Sequence, residues 1–277
     1  MQGLKHLQEI SESRPFIDSL KDFYLSDPIW FPKKFENEND IEVAAFIAAM
    51  FAIGPRYAII RSLEKIFKEL GESPYNDIMD FNYVSFLRKM DGHVQFAYKN
   101  ITGYDIVQIL FVLRSLLQRH GTVGNAARKC ADRGMADEHV VYHILTCLLN
   151  EMKDSKIPSN LGGRLTFRAN TLLASPKQGS ACKRMNMFLR WMTRKDEIDF
   201  GFYDWLGTDK LVIPLDVNVS RAARKLELTK RKTDNWKTAV EITKILKQLD
   251  PSDPVKYDLP LFLYGIQLRK KQRAKSE

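Results

Sequence analysis

The chain has 277 residues, 44% of them hydrophobic, enough to build a substantial core in one large domain or two smaller ones. Its 43 lysines and arginines outnumber 34 aspartates and glutamates, giving a formal charge of +9 and a pI near 9.3, a balance that favours a polyanionic partner. No apolar run reaches membrane-spanning length and the opening MQGLKHLQEISESRPF does not read as a secretory signal, so a cytoplasmic protein without a membrane partner is expected.

Helical periodicity runs through almost the whole chain. Residues 4 to 25 read as one helix or two, interrupted at Pro15, and residues 26 to 38 as a connector containing prolines and aromatics. From Asp40 the run IEVAAFIAAMFAI is apolar on nearly every side and stops at Gly54-Pro55, which predicts a helix buried in the centre of a bundle. Tyr57 to Leu70 forms the next helix, ending at Gly71 and flanked or decorated by Arg56, Arg61, Lys65 and Lys68, and residues 75 to 90 give shorter helical pieces. Asp105 is the expected cap of the periodic helix IVQILFVLRSLLQRH, which stops at Gly121. Two further helices follow near Val123 to Asp132 and Asp137 to Lys153, the second turning Val140, Val141, Ile144, Leu145, Leu148 and Leu149 inward. Residues 155 to 175 carry Gly and Ser together with Arg164 and Arg168. Only Leu211 to Leu215 looks like a strand, and it is too short to build a sheet. The basic tail, residues 269 to 275, either steers DNA or keeps the terminus solvated.

Two segments look chemical. The first is a turn punctuated by Pro176 and Gly179, with Ser180 as the expected N-cap of a helix running to about Arg194. Met185, Phe188, Leu189 and Met192 would face the core, whereas Lys183, Met187, Arg190 and Arg194 lie along another side. Free amides at such a helix start attract a phosphate, and Gly lets the backbone approach it. Lys177, Gln178, Gly179 and Ser180 are therefore expected to grip a DNA backbone, as against an ordinary corner with a solvated basic face. The second segment is LVIPLD, followed by VNVSRAARK. It sets Asp216 near a helix N-terminus, where dipole and amides favour negative charge, although a simple N-cap Asp has the same pattern.

Taken together, Ser175 to Lys183 and PLDVNVSRAARKLEL resemble the helix-hairpin-helix DNA glycosylase superfamily, whose members carry a Gly-containing hairpin, a helix bearing Lys and a PLDTHV-like element. The Thr-His of that element is Val217-Asn218 here, and four positions rather than two lead from Gly179 to Lys183. The long interval from Lys183 to Asp216 is similar to that of archaeal 8-oxoguanine glycosylases. Over nearly its whole length the chain also resembles a bacterial conserved-hypothetical family, domain of unknown function 2400. That resemblance is carried by Asp27-Pro28-Ile29, the helix from Asp40 to Gly54, GSACKRMNMFLRWM, the PLD element and DPSDPVKYD.

The superfamily resemblance implies an all-α fold of two helical subdomains with a cleft between them. One would span about 39 to 215 and include the hairpin; the other would combine residues 1 to 38 with 216 to 277. It further implies a repair glycosylase with abasic-site lyase activity on damaged duplex DNA, oxidised purines such as 8-oxoguanine being the expected substrate. Lys183 would attack the sugar as a neutral amine, with Lys177 as the reserve nucleophile. Asp216 would take a proton or stabilise positive charge on the sugar, and Arg184 and Arg221 would add DNA contacts. The protein is taken as a monomer, nucleoid-associated if it binds DNA. The alternatives are a non-catalytic DNA or RNA binder, consistent with the missing Thr-His, and a metal-dependent hydrolase.

Cys130, Cys147 and Cys182 are too few and scattered for a disulfide framework or a four-thiolate metal site. None follows Asp216, which argues against the C-terminal iron–sulfur cluster of endonuclease III relatives. His139 and His143, four apart on a helix, read as a surface pair rather than a metal site, and no cofactor is expected.

Overall fold

The computed structural model describes residues 2–14, 16, 27–91, 101–134 and 139–274. Much of the second half of the helical stretch expected over residues 4 to 25, the start of the one expected from Asp137, and Lys275 of the basic tail lie outside these residues. Every regular element among the described residues is helical. In chain order they are α1 (Gln2–Glu12), α2 (Glu38–Met50), α3 (Arg56–Leu70), α4 (Pro74–Met79), α5 (Tyr83–Asp91), α6 (Gly103–His120), α7 (Val123–Asp132), α8 (Val140–Lys153), α9 (Phe167–Leu172), α10 (Lys183–Thr193), α11 (Val217–Lys225), α12 (Trp236–Leu246) and α13 (Asp258–Arg273), with short 3-10 turns between some of them.

The chain divides into two compact units, Leu25–Ser175 and a second made of Met1–Tyr24 with Pro176–Glu277. These boundaries differ from the sequence-based ones at 38/39 and 215/216. The hairpin and α10 belong with the C-terminal helices. Arg190 donates to Asp258 at 2.5 Å and Arg194 to Asp253 at 2.9 Å, ties to residues far along the chain that periodicity does not register.

In the Leu25–Ser175 unit, α2 is the buried centre. Asn37 caps it by accepting from the amides of Asn39 and Asp40, and every residue from Asp40 to Met50 is buried, as the all-round apolar run predicts. Its two carboxylates remain inside because each meets donors. Asp40 accepts from Ser73 Oγ and the Tyr75 amide. Glu42 accepts from the Val123 and Gly124 amides at 2.7 and 2.8 Å, placing negative charge on the positive end of α7. Helix α6 starts one turn earlier than its expected cap. Thr102 is the N-cap and Asp105 its reciprocal partner in a capping box, because the threonine hydroxyl reaches the third amide while the carboxylate reaches back. Cys130 of α7 and Cys147 of α8 form a disulfide with Cα atoms 5.7 Å apart. Two scattered cysteines thus become neighbours once α7 and α8 pack side by side.

In the other unit α1, with Leu4 and Leu7 buried, packs on α13, where the His6 and Tyr264 rings meet edge to face at 5.8 Å, and α11 lies along α13. The two backbones approach so closely at Gly265 that a Cβ there would stand 2.1 Å from the carbonyl oxygen of Asn218, which only glycine permits. The strand-like run Leu211–Leu215 is buried throughout yet pairs with no strand. It is held instead by the Ile213 amide donating to Thr243 Oγ1 of α12 at 3.0 Å.

A lysine and carboxylate pair as candidate active site

Lys183 is the first residue of α10, and the preceding turn determines where it points. Pro176–Gln178 forms a 3-10 turn closed by the Gly179 amide on Pro176 O at 2.8 Å, and Gly179 takes φ of 80° with open space where a Cβ would stand. Ser180 pairs with Asn235 in an isolated antiparallel bridge. Its hydroxyl accepts from the Cys182 amide at 3.1 Å and so closes the turn without capping the helix. The N-cap position belongs to Cys182, left-handed at φ 49° and without a side-chain cap; the extra residues between glycine and lysine are absorbed there. Asn186 donates to Ala181 O at 3.0 Å and ties the turn to the first turn of the helix.

Asp216 arrives from the buried extended run and caps α11. Its Oδ1 accepts from the amides of Asn218 and Val219, both at 2.8 Å. Its Oδ2 stands 3.7 Å from Lys183 Nζ. Two residues 33 positions apart in sequence are therefore adjacent, with the lysine side chain 33% and the aspartate 12% exposed. This leaves the amine open to a reactant from solvent while the carboxylate is held from behind by two backbone donors.

A buried ion network supports the pair. Asp258 pairs with Arg190 of α10, and burial pushes its carboxyl up to about 6, with Arg190 opposing the rise and Asp216 adding to it. Arg190 also reaches Asp199 at 3.3 Å. Arg194 bridges Asp199 at 2.6 Å, Asp196 at 2.9 Å and Asp253 at 2.9 Å. The expectation that Arg190 and Arg194 lie on an open basic side of α10 is thus corrected. They are nearly buried and neutralised by four aspartates. No spacing rule in the sequence points to Asp258 as part of the site, since its neighbourhood depends on the return of the chain through α13.

The other expected DNA contacts divide in two. Lys177, Gln178 and Gly179 are exposed on the turn and Ser180 is half-buried, all just ahead of the amide end of α10. Arg184 is half-buried and desolvation pulls its guanidinium down to about 10. Arg221 is engaged within its own unit, donating to Asn218 Oδ1 at 2.9 Å and to Gly265 O at 3.4 Å, where it staples α11 to α13. Among the described residues, the group with donor atoms close enough for a metal ion is Cys130, Cys147 and Glu151, in the Leu25–Ser175 unit. Its two sulfurs are joined in the disulfide, and His139 and His143 are not part of it.

A chain of two units, helical in every regular element among the described residues and presenting an amine beside an N-capping carboxylate in one of them, is the class that the fold and site define. Residues 27–267 match the model of a family described as a protein of unknown function (DUF2400), and the chain belongs to that family. No curated protein and no solved structure matches it.

Proposed function

We propose that the protein is a DNA N-glycosylase with abasic-site lyase activity, acting through Lys183 on an oxidised purine such as 8-oxoguanine. The observation that carries this reading is the 3.7 Å approach of Lys183 Nζ to Asp216 at the start of a glycine-turned helix. The amine attacks the sugar anomeric carbon as the glycosidic bond breaks, the bonding pair leaving with the base, which takes up a proton. Asp216 accepts the proton lost from nitrogen or stabilises positive charge developing on the sugar. The product is an aminal at C1′; cleavage of the C1′–O4′ bond, its pair leaving to O4′, which takes up a proton, opens the ring and gives a Schiff base, which permits loss of a C2′ proton and departure of the 3′ phosphate, cutting the strand. The base reaches the amine only if the nucleotide is extruded, at a cost of a few kcal/mol that is least for damaged bases. Lys177, exposed on the turn, offers its ammonium to the phosphate backbone.

Borohydride reduction in the presence of an oligonucleotide carrying 8-oxoguanine or an abasic site tests the reading. A covalent adduct with wild type and none with Lys183→Ala supports it; no adduct with either, together with no released base, contradicts it. A non-catalytic DNA or RNA binder is the second reading. It is favoured by Asn218, whose side chain is tied to Arg221 where the superfamily resemblance calls for a histidine. Salt-dependent binding without base release across a lesion panel is its signature.

A further inference from the structure

The Leu25–Ser175 unit carries a second constellation, independent of the lysine. A cavity of about 300 Å³ is lined by residues including Ser155, Lys156, Gly163, Arg164, Phe167 and Asn170, and no carboxylate is among its lining residues. Three features of it are unusual together. Phe167 is 85% exposed, a large aromatic face left in water at the first position of α9. Ser155 is only 7% exposed, yet its hydroxyl meets no hydrogen-bond partner among the described residues. A buried polar group left unmade is costly, and this oxygen lies just beneath the cavity wall, so a small shift of that wall would let it meet a partner that arrives from outside. Lys156 and Arg164 are both exposed beside it.

The platform is held rigidly. Gln108, fully buried in α6, donates to Leu161 O and Arg164 O at 2.9 Å each and accepts from the Thr166 amide at 2.8 Å. Thr166 in turn bonds Asp105 and caps α9 at the Ala169 amide. The loop between α8 and α9 is thereby fixed to the core while Phe167 stays outside. A rigid aromatic face, a nearby polar group and flanking cations are what one base with its phosphate requires.

We infer that this cavity is a nucleotide subsite: the base stacks on Phe167, its polar edge meets the Ser155 hydroxyl, and the phosphate lies between Lys156 and Arg164. A single-stranded segment and a free nucleotide present the same chemistry. The test measures anisotropy of a short fluorescein-labelled oligothymidylate at physiological salt with the full chain, and in parallel the binding of thymidine monophosphate. Phe167→Ala is expected to weaken oligomer binding by about tenfold, the scale of one lost stack. Ser155→Ala weakens it less, and Phe167→Trp retains affinity while its indole fluorescence is quenched on binding. Phe167 dependence confined to the oligomer identifies a strand as the ligand; equal dependence for the monophosphate identifies a nucleotide. Wild-type affinity in both Phe167→Ala and Ser155→Ala, or an unquenched tryptophan at position 167, overturns the inference. Borohydride trapping at saturating DNA on the same variants, with Lys183→Ala as the control, keeps the outcomes apart, because it reads Schiff-base formation and not occupancy of this cavity.

Discussion

Asp216 performs two tasks with its two oxygens. Oδ1 caps α11 through two amides, and Oδ2 faces Lys183. Asparagine is as good an N-cap as aspartate, so Asp216→Asn separates the tasks. The expected outcome is a melting temperature close to wild type with base release down by about a hundredfold, within the usual range for losing a general acid or base. Asp258 makes a different prediction. Its carboxyl is raised from 3.8 to about 6, so between those values the folded state binds more protons than the unfolded chain. Its contribution to stability is therefore best at low pH and is lost as the pH rises through about 6, by on the order of 2–3 kcal/mol. Denaturant midpoints measured from about pH 4 to about pH 7 should fall relative to those of Asp258→Asn, which removes this slope. Parallel profiles for the two proteins would show that Asp258 does not titrate in this way.

Among the elements, those with a continuous apolar pattern were legible from sequence and those set by distant partners were not. The all-round burial of α2 follows from its unbroken apolar run, and the inward faces of α8 and α10 follow from helical spacing, except that Val140 is only half-buried. Caps were less legible. Thr102 and Cys182 hold the positions expected for Asp105 and Ser180, since several polar residues near each helix start satisfy the same rule. The partners of Arg190 and Arg194 and the pairing of Cys130 with Cys147 depend on tertiary return of the chain, which no local pattern encodes. Glu42 belongs to this hidden class as well. Removing it in Glu42→Ala leaves the buried Val123 and Gly124 amides without their acceptor, and should cost roughly 2–4 kcal/mol in urea unfolding. Reduction of the disulfide, whose cysteines are 17 residues apart, opens a short loop in the unfolded chain and should lower stability by up to about 3 kcal/mol, read as a drop in melting temperature on adding a dithiol.

At the scale of the molecule, the charge of +9 leads to an electrostatic expectation. On the proposed reading, DNA affinity falls linearly with the logarithm of salt concentration, and Lys177→Ala, on the exposed turn, shallows that slope by about one phosphate contact while weakening all sequences alike. An unchanged slope would remove the turn from the interface. The two residues singled out as chemical are brought together within one unit, although the sequence-based division had assigned them to different ones. Their motif was readable because a glycine turn and an apolar run ending in a carboxylate are local signals. The unit boundary was not, because it is fixed by α10 pairing with the C-terminal helices.

The most direct measurement is peptide mapping by mass spectrometry of the borohydride-reduced adduct formed with an abasic-site oligonucleotide. The account predicts a single modified lysine, Lys183, and loss of that adduct in Asp216→Asn. An adduct carried by Lys177 or another amine, with Lys183 unmodified, would contradict it.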